Sequence, residues 1–240
     1  MDIQGKNNRR CTMALYAISD LHLPLGVHKP MDIFGKRWEG YVDKLKENWC
    51  LTNEDTIVLG GDFSWATYLE ESFLDFSFLS ELPGHKILLK GNHDYWWTTA
   101  SKLGKFIEEN HFSNISFLYN NSFHDSGINI CGTKGFPCQN LTELNEQDKK
   151  IYNREAGRFL LSIEHAKKQP DGELVAFSHY MPQEGSAFIE MMKEFGIMRC
   201  FYGHLHGETS DYHREHYIDG IRMELMSCDF LNFTPLRISK

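Results

Sequence analysis

Residues 86–97 read KILLKGNHDYWW. An apolar run stops at Gly91, and Asn92, His93 and Asp94, each able to hold a metal or a proton, follow before three aromatic residues. Four to eight apolar residues bounded by a glycine read as a buried strand, which puts the polar triplet at its end. The reading decides the fold because it recurs. MALYAIS (13–19) runs into Asp20-Leu21-His22, TIVLGG (56–61) into Asp62, ELVAFS (173–178) into His179, and IMRCFYG (197–203) into His204-Leu205-His206.

INICG (128–132) is a further strand-like run, and helical patterns fall between the runs at about 37–49, 65–81, 98–110, 146–168 and 186–195. Asp219-Gly220, between YHREHYID and IRMELMS, predicts a hairpin. Strands alternating with helices predict an α/β fold in one domain spanning 1–240, with 1–12 a dispensable polar segment. In open α/β sheets the crevice at strand ends is where ligands bind.

Composition narrows the function. At 240 residues with 41% hydrophobic side chains, the chain can bury roughly 70–75% of its unfolded surface. A net charge of −8, with no dense Lys/Arg cluster, speaks against general affinity for nucleic acid or anionic membrane. No apolar stretch approaches the ~18 residues of a membrane span. Six cysteines without CxxC spacing fit a reduced, cytoplasmic setting, and no secretion signal is present in MDIQGKNNRR.

The strand-end residues share one chemistry. Asp20, His22, Asp62, Asn92, His179, His204 and His206 offer oxygen and imidazole donors and no thiolate. That mixture suits manganese, iron, zinc, cobalt or nickel better than calcium or a thiolate zinc site. In extended chain, Asp20 and His22 share a face, as do His204 and His206. Glycines before Asp62, Asn92 and His204 allow a tight turn or close approach. Seven candidates exceed one tetrahedral ion and suit two ions sharing a carboxylate.

The ordered series D-L-H, G-G-D, G-N-H-D, a lone His and G-H-L-H, from residue 20 to 206, resembles the calcineurin-like metallophosphoesterase superfamily. The resemblance implies a four-layer α/β/β/α sandwich of two mixed sheets flanked by helices. It also implies two transition-metal ions, manganese, iron or zinc, at the strand ends. One ion would take Asp20, His22, Asp62 and His206, and the other Asp62, Asn92, His179 and His204, with Asp62 bridging. His93 would contact the phosphate or protonate the leaving oxygen, with Asp94 orienting its ring. The implied reaction is hydrolysis of a phosphodiester or phosphomonoester, on a small or medium substrate, by a metal-bridging hydroxide.

Within the superfamily, SHYMP resembles the turn of the cyclic-nucleotide phosphodiesterase-like branch, although Met181 interrupts it, and the ISDLHL opening is shared by that branch and the lipid-sugar pyrophosphatase branch. The lipid-sugar pyrophosphatase branch carries Arg where this chain has His93. Many relatives place an acid a few residues after their G-D, and here Glu70 is the nearest. Two other functions fit the same residues. One is a nuclease, which the acidic balance opposes; the other is a non-catalytic module, which would show gaps among the ligands that this chain lacks.

Other residues have ordinary readings. Two of Tyr95, Trp96 and Trp97 are expected in the core, and the third could flank the site and stack on a base. Trp38 and Tyr41 are expected in the core. The polar stretch 133–147 is either a connector or a loop lining the cleft with Lys134 as a phosphate contact. His213 and His216 face opposite ways on a strand and are expected on the surface.

Overall fold

The computed structural model describes residues 13–137, 143–207 and 212–239. Two mixed sheets face each other. The first has the order β11-β1-β2-β3-β4: β1 (Leu15–Ile18), β2 (Thr56–Leu59), β3 (His85–Leu88) and β4 (Ile115–Phe117) run parallel, and β11 (Leu236–Arg237) closes the edge antiparallel to β1. The second has the order β5-β6-β7-β8-β10-β9. There β6 (Ile128–Thr133), β7 (Glu173–Ser178), β8 (Arg199–Tyr202) and β10 (Ile221–Leu225) are parallel, with β5 (Phe123–Asp125) and β9 (Glu215–Ile218) antiparallel at the two edges.

The strands are apolar on both faces because both faces are covered. Leu15, Ala17, Val58, Ile87 and Leu89 point between the sheets, where they meet Ile130, Val175, Phe177 and Phe201. The alternate residues Ile18, Ile57, Leu59, Leu88 and Ile115 face α1 (Tyr41–Glu47), α2 (Phe73–Glu81) and α3 (Ala100–Glu109). On the far side Cys131, Ala176, Cys200, Tyr202 and Met223 pack against α4 (Glu146–Ala166) and α5 (Ala187–Glu194). The result is the four-layer sandwich that the family resemblance implies. No helix among the described residues is long and apolar enough to cross a membrane.

Local chemistry sets most boundaries. Thr99, Asn145 and Ser186 cap α3, α4 and α5 by accepting a backbone N–H with their side chains. Asp219 and Gly220 join β9 to β10 with positive φ at both (49° and 81°), the turn that matches strand twist. The helix expected from about 65 starts only at Phe73, after a single 3-10 turn at Leu69–Ser72, because Ser64 and Ala66 are engaged in loop hydrogen bonds. Lys86, at the head of β3, is fully buried, and its ammonium donates to the Leu82 carbonyl. Burial lowers its pKa to about 8. Of the cysteines, Cys131, Cys200 and Cys228 are buried and free, whereas Cys50 is exposed.

Phe177 lies wholly buried between the sheets, stacked on Phe201 at 5.3 Å. Phe177→Ala is expected to destabilise the fold by about 3–5 kcal/mol, read as a lowered urea midpoint with an unchanged slope.

Candidate metal centre

Every parallel strand named by its polar end delivers that end to the same edge of the sandwich. Asp20 and His22 follow β1, Asp62 follows β2, Asn92 follows β3, His179 follows β7, and His204 and His206 follow β8. Backbone hydrogen bonds stitch the ends together, from Asp20 N to Gly61 O, from His22 N to Asp62 O (both 2.9 Å) and from Gly203 N to His179 O (3.1 Å). Four of these residues hold left-handed backbone: Asp20 (φ 62°), His22 (44°), Asp62 (52°) and His204 (71°). Such conformations are uncommon outside glycine and concentrate at functional sites.

The glycines before them act differently from one another. Gly61 takes positive φ (99°), so it turns the chain. Gly91 and Gly203 do not; they are small because a Cβ at Gly91 would strike the Asp62 carboxylate, and one at Gly203 would strike Ser19 and Asp20.

The seven candidates converge. Asp20, His22 and His206 form one group, and Asp62, His179 and His204 a second, with the ligand-type atoms of each group within 4.8 Å of one another. His206 Nε2 lies 3.3 Å from Asp20 Oδ1 and 3.1 Å from His22 Nε2. His179 Nε2 lies 2.7 Å from Asn92 Oδ1. Asp62 Oδ2 lies between the groups, 3.7 Å from His22 Nε2 and 3.5 Å from His179 Nε2, and is buried without a hydrogen-bond partner. His179 Nδ1 faces the Gly60 carbonyl at 3.1 Å, which fixes the proton there and leaves Nε2 as a lone pair aimed at other acceptors. Acceptors facing acceptors in a buried place is an arrangement that a cation relieves, and the donor set fits first-row transition ions.

Electrostatics divide the candidates. Burial lowers the pKa of His22 to about 3 and of His179 to about 4, so both rings are neutral, as a metal ligand must be. Burial, then Asp94 and Asp20, raise that of Asp62 to about 9 in the metal-free protein. Burial alone would raise the pKa of Asp20, but bonding to His206 and the neighbouring histidines hold it far below the ordinary carboxylate range. His206 is opposed by burial yet raised to about 10 between Asp20 and Asp229.

The sequence reading gives Asp94 the task of orienting His93, and here the structure corrects it. Asp94 is fully buried, and its carboxylate is taken up by donors other than that ring. It accepts the N–H groups of Gly91 (2.7 Å), Asp62 and Phe63 (2.9 Å each) and Ser64 (3.4 Å), and the Trp96 indole N–H (3.0 Å). Four backbone amides outcompete one imidazole for a buried carboxylate, so Asp94 locks the loops after β2 and β3. His93 is set instead by its own N–H, which donates to Asp62 Oδ1 at 2.7 Å, and by the edge of Trp65 at 4.9 Å between ring centres. Burial, then His206, keep the His93 pKa below the usual histidine value.

Several contributors were not singled out from sequence. Asp229, buried after β10, accepts from His206 Nδ1 (3.3 Å) and Gly207 N (2.9 Å) and pairs with Arg37 (3.3 Å). Asp229 directly follows the stretch IRMELMSC, which alternates apolar with charged residues before ending apolar, a weaker form of the signal that marked the others. Trp65 stacks on His22 at 4.6 Å. The acid behind the G-D loop is buried Asp75, bonded to Ser64 Oγ and to Leu25 N (2.8 Å), whereas Glu70 is exposed.

Trp96 and Trp97 are core, and Tyr95 is 64% exposed beside His93. Trp38 and Tyr41 are buried as expected, and they also back the site: Trp38 meets His206 at 5.8 Å, and the Tyr41 hydroxyl donates to His22 O. Lys134 is half-buried over the Tyr180 ring at 5.9 Å; 138–142 of its loop lie outside the described residues. His213 is exposed, but His216 is half-buried and bonded to the Tyr202 hydroxyl at 2.5 Å.

Comparison with known proteins agrees with this geometry. The family model described as calcineurin-like phosphoesterase matches residues 13–208. The chain belongs to that family. Its members are metal-dependent hydrolases of phosphoesters, and this chain carries the clusters to match. No curated protein matches significantly. Among solved structures the fold resembles a Thermus thermophilus protein (TM-score 0.57, 12% identity, 95% of this chain and 99% of that one). It also resembles the phosphopantetheinyl hydrolase of Mycobacterium tuberculosis (0.56, 12%, 95% and 96%) and a protein of unknown function from Aquifex aeolicus (0.51, 18%, 94% and 96%).

Asp229→Asn should leave the fold intact while loosening His206. Outer partners of metal-binding histidines are worth about 10–100-fold in metal affinity. A manganese titration of stripped protein should therefore weaken by that factor; unchanged affinity would remove Asp229 from the site.

Proposed function

We propose that this phosphoesterase cleaves a phosphodiester or phosphomonoester of small or medium size with two transition-metal ions, manganese, iron or zinc. The observation that carries the reading is the Asp62 carboxylate, whose unpartnered Oδ2 lies between a nitrogen of each ligand group. A bridging carboxylate needs that position. Asp20, His22, Asp62 and His206 would hold one ion, and Asp62, Asn92, His179 and His204 the other. When bound, the ions supply Lewis acidity and a water of lowered pKa.

The chain supplies the rest. Asp20 is fixed by Ser19, by Ser227 Oγ (3.0 Å) and by the His204 N–H (3.0 Å), so its lone pairs face inward without reorganising. Trp38 and Trp65 keep water from the backs of His22 and His206. His93 stands beside the ligands with its ring half-buried and is positioned to touch the phosphoryl group or the leaving oxygen. In the hydrolysis, a water gives up a proton to solvent and its oxygen bonds to phosphorus as the bond to the leaving oxygen breaks, and His93, in its protonated form, hands that oxygen a proton. Tyr95, exposed and edge-on to His93 at 6.2 Å, offers a flat face to a planar leaving group such as a base or aryl ring.

The test is turnover of bis-p-nitrophenyl phosphate and p-nitrophenyl phosphate by stripped protein reloaded with Mn²⁺. Wild type should hydrolyse at least one ester, and Asp62→Asn should lose activity together with bound metal. Two ions per chain without turnover of either ester would sink the catalytic reading. His93→Gln should retain metal while kcat falls about 10²–10⁴-fold. Tyr95→Ala should raise KM for aryl and nucleoside esters with kcat nearly unchanged; an equal effect on alkyl esters would deny it the stacking role.

A further inference from the structure

The opposite end of the sandwich holds a second, chemically distinct cleft. It opens where β6, β7, β8 and β10 begin, lined by Glu173, Arg199, Arg214, Arg222, Glu224 and Arg237, with an apolar wall of Ile128, Leu236 and Ile238. Its volume is about 700 Å³, within the range of small-molecule sites. Glu173 opens β7 and His179 follows that strand, so about 20 Å of extended chain separates the cleft from the metal centre. None of the candidate ligands lines it.

Strand register puts the charges there. Arg199 lies on the same face of β8 as inward-pointing Phe201, with its guanidinium over that ring at 5.3 Å. Arg222 and Glu224 alternate with Ile221, Met223 and Leu225, which pack outward, so both face the space between the sheets. An apolar sandwich interior would ordinarily be closed by hydrophobic side chains at these positions.

Pairing within the cleft is incomplete. Arg222 reaches Glu215 (2.7 Å) and Glu224 (3.2 Å); Arg214 reaches Glu215 (3.1 Å) and, more distantly, Glu224 (3.9 Å); Arg199 reaches Glu173 (3.3 Å). Arg199 also donates to the Ile238 carbonyl (3.3 Å), and the Arg222–Glu224 contact joins Nε to Oε1 as an ion pair without hydrogen-bond geometry, whereas the buried Nε atoms of Arg199 and Arg214 have no hydrogen-bond partner. Arg237 has no carboxylate within ion-pair distance among the described residues. Four guanidiniums thus face two lining carboxylates, or three with Glu215, in a protein whose net charge is −8.

We propose that this cleft binds an organic phosphate of two or more negative charges, independently of the metal centre. Planar guanidinium forks match phosphate oxygens bidentately, and Ile128, Leu236 and Ile238 would receive the organic part. A solvated ion-pair network would not need a cleft of this size, and a simple hydrophobic ligand would not be met by four arginines.

The probe is ADP, titrated calorimetrically into the metal-loaded and the metal-stripped full chain, with citrate as the carboxylate counterpart. ADP should bind in both metal states. Arg199→Gln, whose partner Glu173 is half exposed, and Arg214→Gln should each weaken it at least about tenfold, the worth of a charge-assisted contact. Glu224→Gln, isosteric with the native residue, should tighten it by removing a carboxylate. All three variants should hydrolyse p-nitrophenyl esters as wild type does. ADP binding that vanishes with the metal, that ignores all three substitutions, or that is weaker than about 1 mM overturns the proposal. Citrate binding as tightly as ADP overturns the assignment to phosphate.

Discussion

The centre depends on the Asp94 carboxylate. It gathers backbone amides from the ends of β2 and β3 and the indole N–H of Trp96 into one buried anion. A buried carboxylate is costly unless its lone pairs are filled, and here they are. That satisfaction makes the loop after β2 rigid, so Asp62 presents one oxygen to the His93 N–H and leaves the other unpartnered between two histidines. The His22 N–H to the Asp62 carbonyl (2.9 Å) adds a second tie to the positive-φ backbone of Asp62.

The same logic accounts for the strained backbone. Asp20, His22, Asp62 and His204 each occupy the left-handed region, at a cost of order 1–3 kcal/mol apiece. Such conformations persist only where surroundings over-determine them. Asp20 is held by Ser19, Ser227 and the His204 amide, and its backbone by Gly61 O and Cys228 Sγ. The large apolar layers on both sides of each sheet supply the stability against which this strain is set.

The sequence made the α/β class and the candidate residues at the strand ends legible because both rest on short-range signals, and the four-layer arrangement came with the family resemblance. Apolar runs of strand length announce buried parallel strands, and a polar residue directly after each is visible without a structure. What escaped it depends on partners distant in sequence. The Asp94 reading failed because adjacency to His93 says nothing of which donors the fold brings to a carboxylate. Asp75 meets Ser64 across a loop, and Lys86 finds a carbonyl a turn earlier; neither pairing has a sequence period. The edge strands β4, β5 and β11 escaped because two or three residues carry too little pattern. Asp229 was within reach, since it follows β10 as the candidate ligands follow their strands.

Parallel strands give the molecule two unlike ends. Crossover helices leave the strands' C-terminal ends bare, and the chain uses that edge for acceptors that need a cation. At the N-terminal ends of the second sheet the alternation continues, but Glu173, Arg199, Arg222 and Glu224 take the inward positions that Phe177 and Phe201 fill farther along. The first sheet meets this region only through its edge strand β11, so no opposing apolar layer closes over the charges. A sandwich closed by apolar residues at both ends would draw fewer charges even partly out of water, since ion pairs inside proteins rarely outperform hydrophobic packing. That this chain keeps four arginines there, against its own acidic balance, is better explained by what they can hold than by what they stabilise.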